Sequence, residues 1–260
     1  MRFCALSSGS NGNCSFVETK EHRILIDIGL SAKKIEGLLR EKGIEPGTIT
    51  AVFVTHEHAD HIAGVGVWAR RYKVPVMATA GTWKGMERTI KEIPGELRFE
   101  IVSGKGYRMS DLRIEAIPTM HDANDPCCYT IESDGCKVSV ITDTGMVTDT
   151  MLRHLSQSDL AVLESNHDIN MLLTGPYPEP LKHRIRGNFG HLSNEDCGKA
   201  IASVRGVNPQ GTFLLGHLSE ENNTPALALK TVKEIVEQHA LSNDHIYLTS
   251  RYGSTDLYEI

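Results

Sequence analysis

The stretch Ala51–His61, AVFVTHEHADH, constrains this chain more than any other. Ala51-Val52-Phe53-Val54 reads as a short buried strand. Directly behind it stand His56, His58, Asp60 and His61, four metal-competent side chains within six residues. In an extended loop alternate residues point the same way, so His56 and His58 can share one ion. Asp60 and His61 are adjacent, are expected to point apart from that pair, and suit a second ion. Imidazole and carboxylate without thiolate suit Zn, Mn or Fe(II). A solvated, charge-rich loop would account for one or two such residues. His-x-His-x-Asp-His behind a buried strand favours metal.

Composition narrows the class. Hydrophobic residues make up 40% and charged residues 23% of 260, the balance of an ordinary soluble globular protein. The net charge of −6 argues against a protein coated in positive charge, though a local basic patch can sit on an acidic body. Six cysteines are present, with no CxxC pair, and Cys127 and Cys128 are adjacent. A thiolate zinc site and a disulfide framework both fit poorly, and most of these thiols are expected as small buried hydrophobes. No run of 18 apolar residues occurs and the N-terminus lacks an apolar signal region, so no membrane partner and a reducing, cytoplasmic compartment are expected.

Taken in order, the chain opens as a β meander: strands at 2–6, 14–19 and 23–28, the first two joined across Asn11-Gly12. A helix follows over 31–42, with Ser31 as N-cap and Gly43 as stop. After the 51–54 strand the spacing predicts a helix over 62–72, a strand at 74–77 and a helix over 82–93. Short strands are expected at 99–102, 113–117, 128–132 and 137–141, then a helix at 147–155 and strands at 159–163 and 212–215. Thr224-Pro225 opens a helix to 239, and a last strand spans 245–248. With no repeat or linker visible, residues 1–260 are read as one domain. It should be α/β, two sheets face to face with helices outside.

Metal-competent residues that directly follow expected strands converge on one list: Asp27, the His56–His61 cluster, His121, Asp143 and His217. In that pattern the sequence resembles the metallo-β-lactamase superfamily, whose fold is a four-layered αβ/βα sandwich. The segments SSGSNGN, ESNHD at 164–168, the 177–185 run, GHLSNE at 190–195 and HLSEENNTP at 217–225 narrow the resemblance to the YycJ/WalJ family, related to RNase Z-type phosphodiesterases. The resemblance implies two divalent ions, Zn2+ foremost, with Mn2+ or Fe2+ possible. His56, His58 and His121 would take one ion, and Asp60, His61 and His217 the other. Asp143 would bridge them, with Asp27 bracing the His loop. It further implies a 5′-to-3′ exonuclease on double-stranded DNA with a link to mismatch repair, in which a hydroxide shared by the metals attacks phosphorus.

Asp60 is cast as ligand and orienter of the nucleophile, and His167 as the general acid for the leaving oxygen. Lys182, Arg184 and His191 are candidates for gripping the DNA backbone, against a solvated helix face. Asn222 and Asn223 either bind substrate or cap the helix at 225. The rival readings are a small-molecule hydrolase for thioesters, lactones or cyclic phosphodiesters, and an RNA-processing nuclease. A di-iron oxygen reductase would need Glu where His58 stands, and Glu57 is one position off. Oligomeric state is not legible.

Overall fold

A computed structural model describes residues 1–260. The first half contains β1 (Arg2–Ser7), β2 (Cys14–Glu18), β3 (Arg23–Ile26), α1 (Ala32–Glu41), β4 (Ala51–Phe53), α2 (Ala59–Ile62), α3 (Val65–Tyr72), β5 (Val76–Thr79), α4 (Ala80–Ile90) and β6 (Arg98–Ile101). Next come β7 (Gly106–Met109), β8 (Leu112–Pro118), β9 (Cys127–Ser133), β10 (Cys136–Ile141), α5 (Asp149–Leu155), β11 (Leu160–Glu164), α6 (Ile169–Thr174) and α7 (Glu179–Arg186). The last elements are α8 (Asn194–Arg205), β12 (Thr212–Gly216), α9 (Pro225–Gln238), β13 (Ile246–Leu248) and β14 (Tyr258–Glu259).

The strands form two seven-stranded mixed sheets, ordered β14-β1-β2-β3-β4-β5-β6 and β13-β12-β11-β10-β9-β8-β7. The first is antiparallel through β14-β1-β2-β3 and parallel from β3 to β6. The second is parallel across β10-β11-β12-β13 and antiparallel across β7-β8-β9. Burial follows these pairings. The parallel strands β4 and β11 are buried along their whole length, as continuous apolar runs must be. β8 alternates buried Leu112 and Ile114 with exposed Arg113, one face solvated. The sheets meet face to face where Tyr129 of β9 packs edge-on against Phe53 of β4, centroids 5.5 Å apart, and its hydroxyl donates to the Val54 carbonyl at 2.8 Å. This is the expected sandwich.

By contact the chain divides into two compact units: unit 1 comprises 1–118, 123–136 and 250–260, and unit 2 comprises 119–122 and 137–249. Unit 1 centres on Leu25, Val52, Trp68 and Met86, all fully buried. In unit 2 the α8 and α9 helices pack together, with Ile201, Phe213 and Val232 buried.

The expected helix over 62–72 is two helices. Gly64 interrupts it because its backbone is pressed on the chain after β3: its N–H donates to the Ile28 carbonyl at 2.8 Å, and a Cβ there would meet Ile28 Cγ2 and the Leu30 carbonyl at 2.4 Å. The strand expected at 74–77 runs two residues later, and Thr79 becomes the N-cap of α4, accepting from the Thr82 N–H. Ser31 and Thr224 cap α1 and α9 as their sequence position indicates. Two edge strands have no sequence expectation, β7 and β14. Their four and two residues carry too little apolar pattern to be read.

Candidate metal centre in two half-sites

Unit 1 contributes the contiguous cluster. β4 runs out into an extended segment carrying His56 and His58, and α2 then turns the chain within one helical turn, placing Asp60 and His61 in its first residues. That turn corrects the expectation that His61 points apart from the preceding pair. Its ring centroid lies 4.1 Å from that of His56, nearer than the 4.6 Å between His56 and His58. Asp27, in left-handed backbone at φ 61°, is buried directly behind. Its carboxylate accepts from the Thr55 N–H and hydroxyl, both at 2.8 Å, and from His61 Nδ1 at 2.7 Å. Burial pushes this carboxyl above the usual range, and the His61 and Thr55 donors pull it back. With Nδ1 spent on Asp27, His61 Nε2 keeps its lone pair, toward which the Asn13 amide lies at 3.0 Å.

Close packing holds this loop. Asn13 N–H donates to the Asp60 carbonyl at 2.8 Å and Ile28 N–H to the His61 carbonyl at 2.9 Å. Gly29 sits so tightly that a Cβ there would lie 1.6 Å from the Asp60 carbonyl oxygen.

Unit 2 assembles its cluster from separate strand ends. Asp143 follows β10, Glu164 ends β11, His217 follows β12, and His191 lies on the loop between α7 and α8. Their donor atoms fall within 4.8 Å of one another. Asp143 and His217 both adopt left-handed backbone, φ 57° and 54°, a strained choice for residues with a Cβ. Glu164, fully buried, organises the rest. One oxygen lies 2.8 Å from Nδ1 of both His191 and His217, and the other accepts from the Thr144 N–H at 2.8 Å and the Leu192 N–H at 3.3 Å. Burial opposes its charge, but the His191 imidazole and these hydrogen bonds hold the carboxyl down at about 2. Both oxygens are engaged with imidazole and amide groups, so Glu164 orients the imidazoles around it. His121 faces Gly190, its Nδ1 3.1 Å from that carbonyl, and its Nε2 lies 3.8 Å from Asp143.

These donors fit divalent metal ions. In His61, His121 and His217 an acceptor stands at Nδ1, which fixes the tautomer and leaves Nε2 as the ligating atom. No cysteine enters either cluster. All six are free thiols, and five are buried.

Sequence reasoning missed Glu164 and Asn13. Glu164 carried a usable signal, an acid directly following an expected strand. Asn13 lies inside the SSGSNGN turn, which reads as joining two strands and as part of the family resemblance, not as a partner of the His loop.

Four expectations need correcting. Lys182 does not reach for phosphate: it is buried, and its ammonium donates to the Leu173 carbonyl at 2.8 Å and pairs with Glu179 at 3.0 Å. Asn223 is a stitch, its amide donating to the Ser165 and Asn166 carbonyls at 2.9 and 3.0 Å and exchanging bonds with Asn194. Asn222 is buried, its main-chain carbonyl accepts from the Asp168 N–H and its side-chain amide lies 3.5 Å from the Ser219 hydroxyl, and Thr224 does the capping. His167 is buried with Nδ1 unpartnered, and burial depresses its pKa to about 4, which disfavours the imidazolium that a general acid needs near neutral pH. Arg184 remains exposed, side chain 60% open, and pairs with Asp122.

Residues 22–217 match the model of the Beta-lactamase superfamily domain. The chain is 39% identical over 238 residues to Exodeoxyribonuclease YycJ of Bacillus anthracis, covering 92% of this chain and 90% of the relative. The chain belongs to this family. Exodeoxyribonuclease WalJ of Streptococcus pneumoniae serotype 2 is 38% identical over 264 residues, covering 100% of this chain and 98% of its own. Among solved structures, the metallo-β-lactamase fold protein YhfI of Bacillus subtilis superposes with TM-score 0.73 at 13% identity, covering 100% and 99% of the two chains, a likeness of fold alone. A YycJ/WalJ family member is a hydrolase of the metallo-β-lactamase class. No helix is long and apolar enough to cross a membrane.

Proposed function

We propose that this protein is a metal-dependent 5′-to-3′ exonuclease on double-stranded DNA, acting in the cytoplasm and serving DNA repair, with residues 1–260 working as one hydrolase domain. His56, His58 and His121 would hold one divalent ion, Asp60, His61 and His217 the other, with Asp143 shared. Zinc fits the imidazole-rich set best, and manganese or iron(II) is compatible with the carboxylates. When bound, the ions would supply Lewis acidity and a hydroxide nucleophile at neutral pH.

The chain's own residues do the rest. Asp27, Gly190 and Glu164 fix three imidazole tautomers before any ion arrives. Asp60 is placed by the packed Gly29 turn to orient the nucleophile. His191, not His167, is assigned the proton for the leaving 3′ oxygen: its Nδ1 is anchored on Glu164, which raises its pKa against burial, and its side chain stays partly exposed. Arg184 is left as a phosphate contact.

The observation that carries the reading is the Nδ1 anchoring, in a chain that aligns along nearly its whole length with two exodeoxyribonucleases. The test incubates metal-loaded protein with linear duplex DNA labelled separately at each 5′ end. Closed circular DNA, duplex RNA, a small chromogenic phosphodiester and the His58→Ala variant run alongside. Progressive loss from 5′ ends, absent on circles and in the variant, is expected. Cleavage of the small ester alone would replace this reading with a small-molecule hydrolase, and a preference for RNA with an RNA-processing enzyme.

A further inference from the structure

A groove of about 500 Å³ opens within unit 2, beside the strand-end cluster. Its walls are the two loops that carry site residues together with helices α5 and α8, which supply Leu152 and Asp196, Lys199, Ala200 and Ser203. Gly145, Met146 and Val147 follow Asp143, while Arg186, Asn188 and Leu192 flank His191. These loops touch backbone to backbone: a Cβ on Gly145 would lie 2.4 Å from the Asn188 carbonyl, and the Gly145 N–H donates to the Met120 carbonyl at 2.8 Å. Leu192 is tied to Glu164 through its N–H. A ligand in the groove is therefore held at fixed distance from His191 and Asp143, since the same backbone positions all three.

The lining specifies the ligand's chemistry. Met146 keeps 40% of its surface open, a large apolar side chain that the protein itself does not cover. A thioether is polarizable and unbranched and makes favourable contacts with flat aromatic rings, which every base offers. Charge is positive on balance. Lys199 is compensated by Asp196 at 2.9 Å, and Asp196 also accepts from Ser193 at 2.8 Å. Arg186, exposed in the last turn of α7, forms no ion pair, whereas Lys182 and Arg184 of the same helix do. A flat apolar face with one uncompensated guanidinium beside it complements a base and its phosphate. The volume suits one nucleotide-sized ligand.

We propose that this groove holds one unpaired nucleotide of the substrate strand, its base against Met146 and its phosphate on Arg186. The proposal rests on the nuclease reading and gives it a positioning element. An end-acting enzyme needs a seat for a frayed nucleotide beside its reacting groups, and the groove lies beside His191 and Asp143.

The test measures anisotropy of a fluorescent 5′-phosphorylated tetrathymidylate with uncleavable phosphorothioate linkages, on zinc-loaded protein, together with KM and kcat on duplex DNA. Arg186→Ala and Met146→Asp should each weaken tetrathymidylate binding about tenfold and raise KM by a similar factor, with kcat within about twofold. Arg186→Lys should recover part of the loss. Tm values matching the parent protein confirm that the variants fold. Parent-like affinity and KM in both variants overturn the groove assignment while leaving the nuclease reading intact. If the parent protein degrades no DNA, the nuclease reading fails. The binding arm then decides the groove alone: weakened binding in both variants supports it and unchanged binding overturns it.

Discussion

The two half-sites reach similar chemistry by opposite routes. In unit 1 the donors His56, His58, Asp60 and His61 are neighbours in sequence, delivered by one strand and one helical turn. In unit 2 Asp143, Glu164, His191 and His217 come from four places spread over 75 residues, gathered at the C-terminal ends of parallel strands β10, β11 and β12. The bracing differs as well. Unit 1 rests on Asp27, which holds one imidazole, and on backbone packing. Unit 2 rests on Glu164, which holds two imidazoles and two backbone amides at once. A motif built locally can be held by packing. One built from distant segments needs a charged hub.

That contrast breaks most sharply at Glu164. Glu164→Ala should cost about 3–5 kcal/mol, because two buried imidazoles and two amides lose their acceptor together. Calorimetry should show a far larger fall in Tm than for Asp27→Asn. Equal effects would mean that the hub does not distinguish the halves.

Acid should loosen unit 2 through His167. A buried histidine whose folded pKa is depressed from 6.5 to about 4 adds stability above its unfolded pKa. That stability is lost as pH falls from about 6.5 toward 4, about 3 kcal/mol in all. Urea unfolding of the metal-free protein across this window should show the decline, and His167→Gln should flatten it.

Unit 1 should be sensitive to volume rather than charge. Gly29→Ala forces the Asp60 carbonyl away and should cost about 2 kcal/mol. A parent-like Tm with displaced Asp60 and His61 resonances would show instead that the loop yields. The smallest effect belongs to Lys182→Met, about 1 kcal/mol from lost hydrogen bonds with the stem packing kept. The salt dependence of DNA binding should not change, whereas a phosphate contact would alter the log–log slope by about 0.9.

The same contrast explains what could be read from sequence. The fold was legible because its interior strands are continuous apolar runs and its helices carry explicit caps at Ser31 and Thr224. His56–His61 was legible as a contiguous pattern, while Asp27, Asp143 and His217 were visible only as polar residues after strands. Nothing in the sequence marks their left-handed backbone, which is set by the sheet and the loops packed on it. Lys182, Asn222 and Asn223 misled because a polar residue near a site looks alike whether it faces solvent or ties a loop together. Only burial and bond partners separate the two.

The account turns on both half-sites being metal-binding. Metal content per chain, measured by elemental analysis after zinc loading and extensive dialysis, tests this most directly. Two ions per chain are expected, with a reduced count in both His61→Ala and His217→Ala. A parent protein that retains less than one ion per chain, or a count unchanged from the parent in both variants, would contradict it.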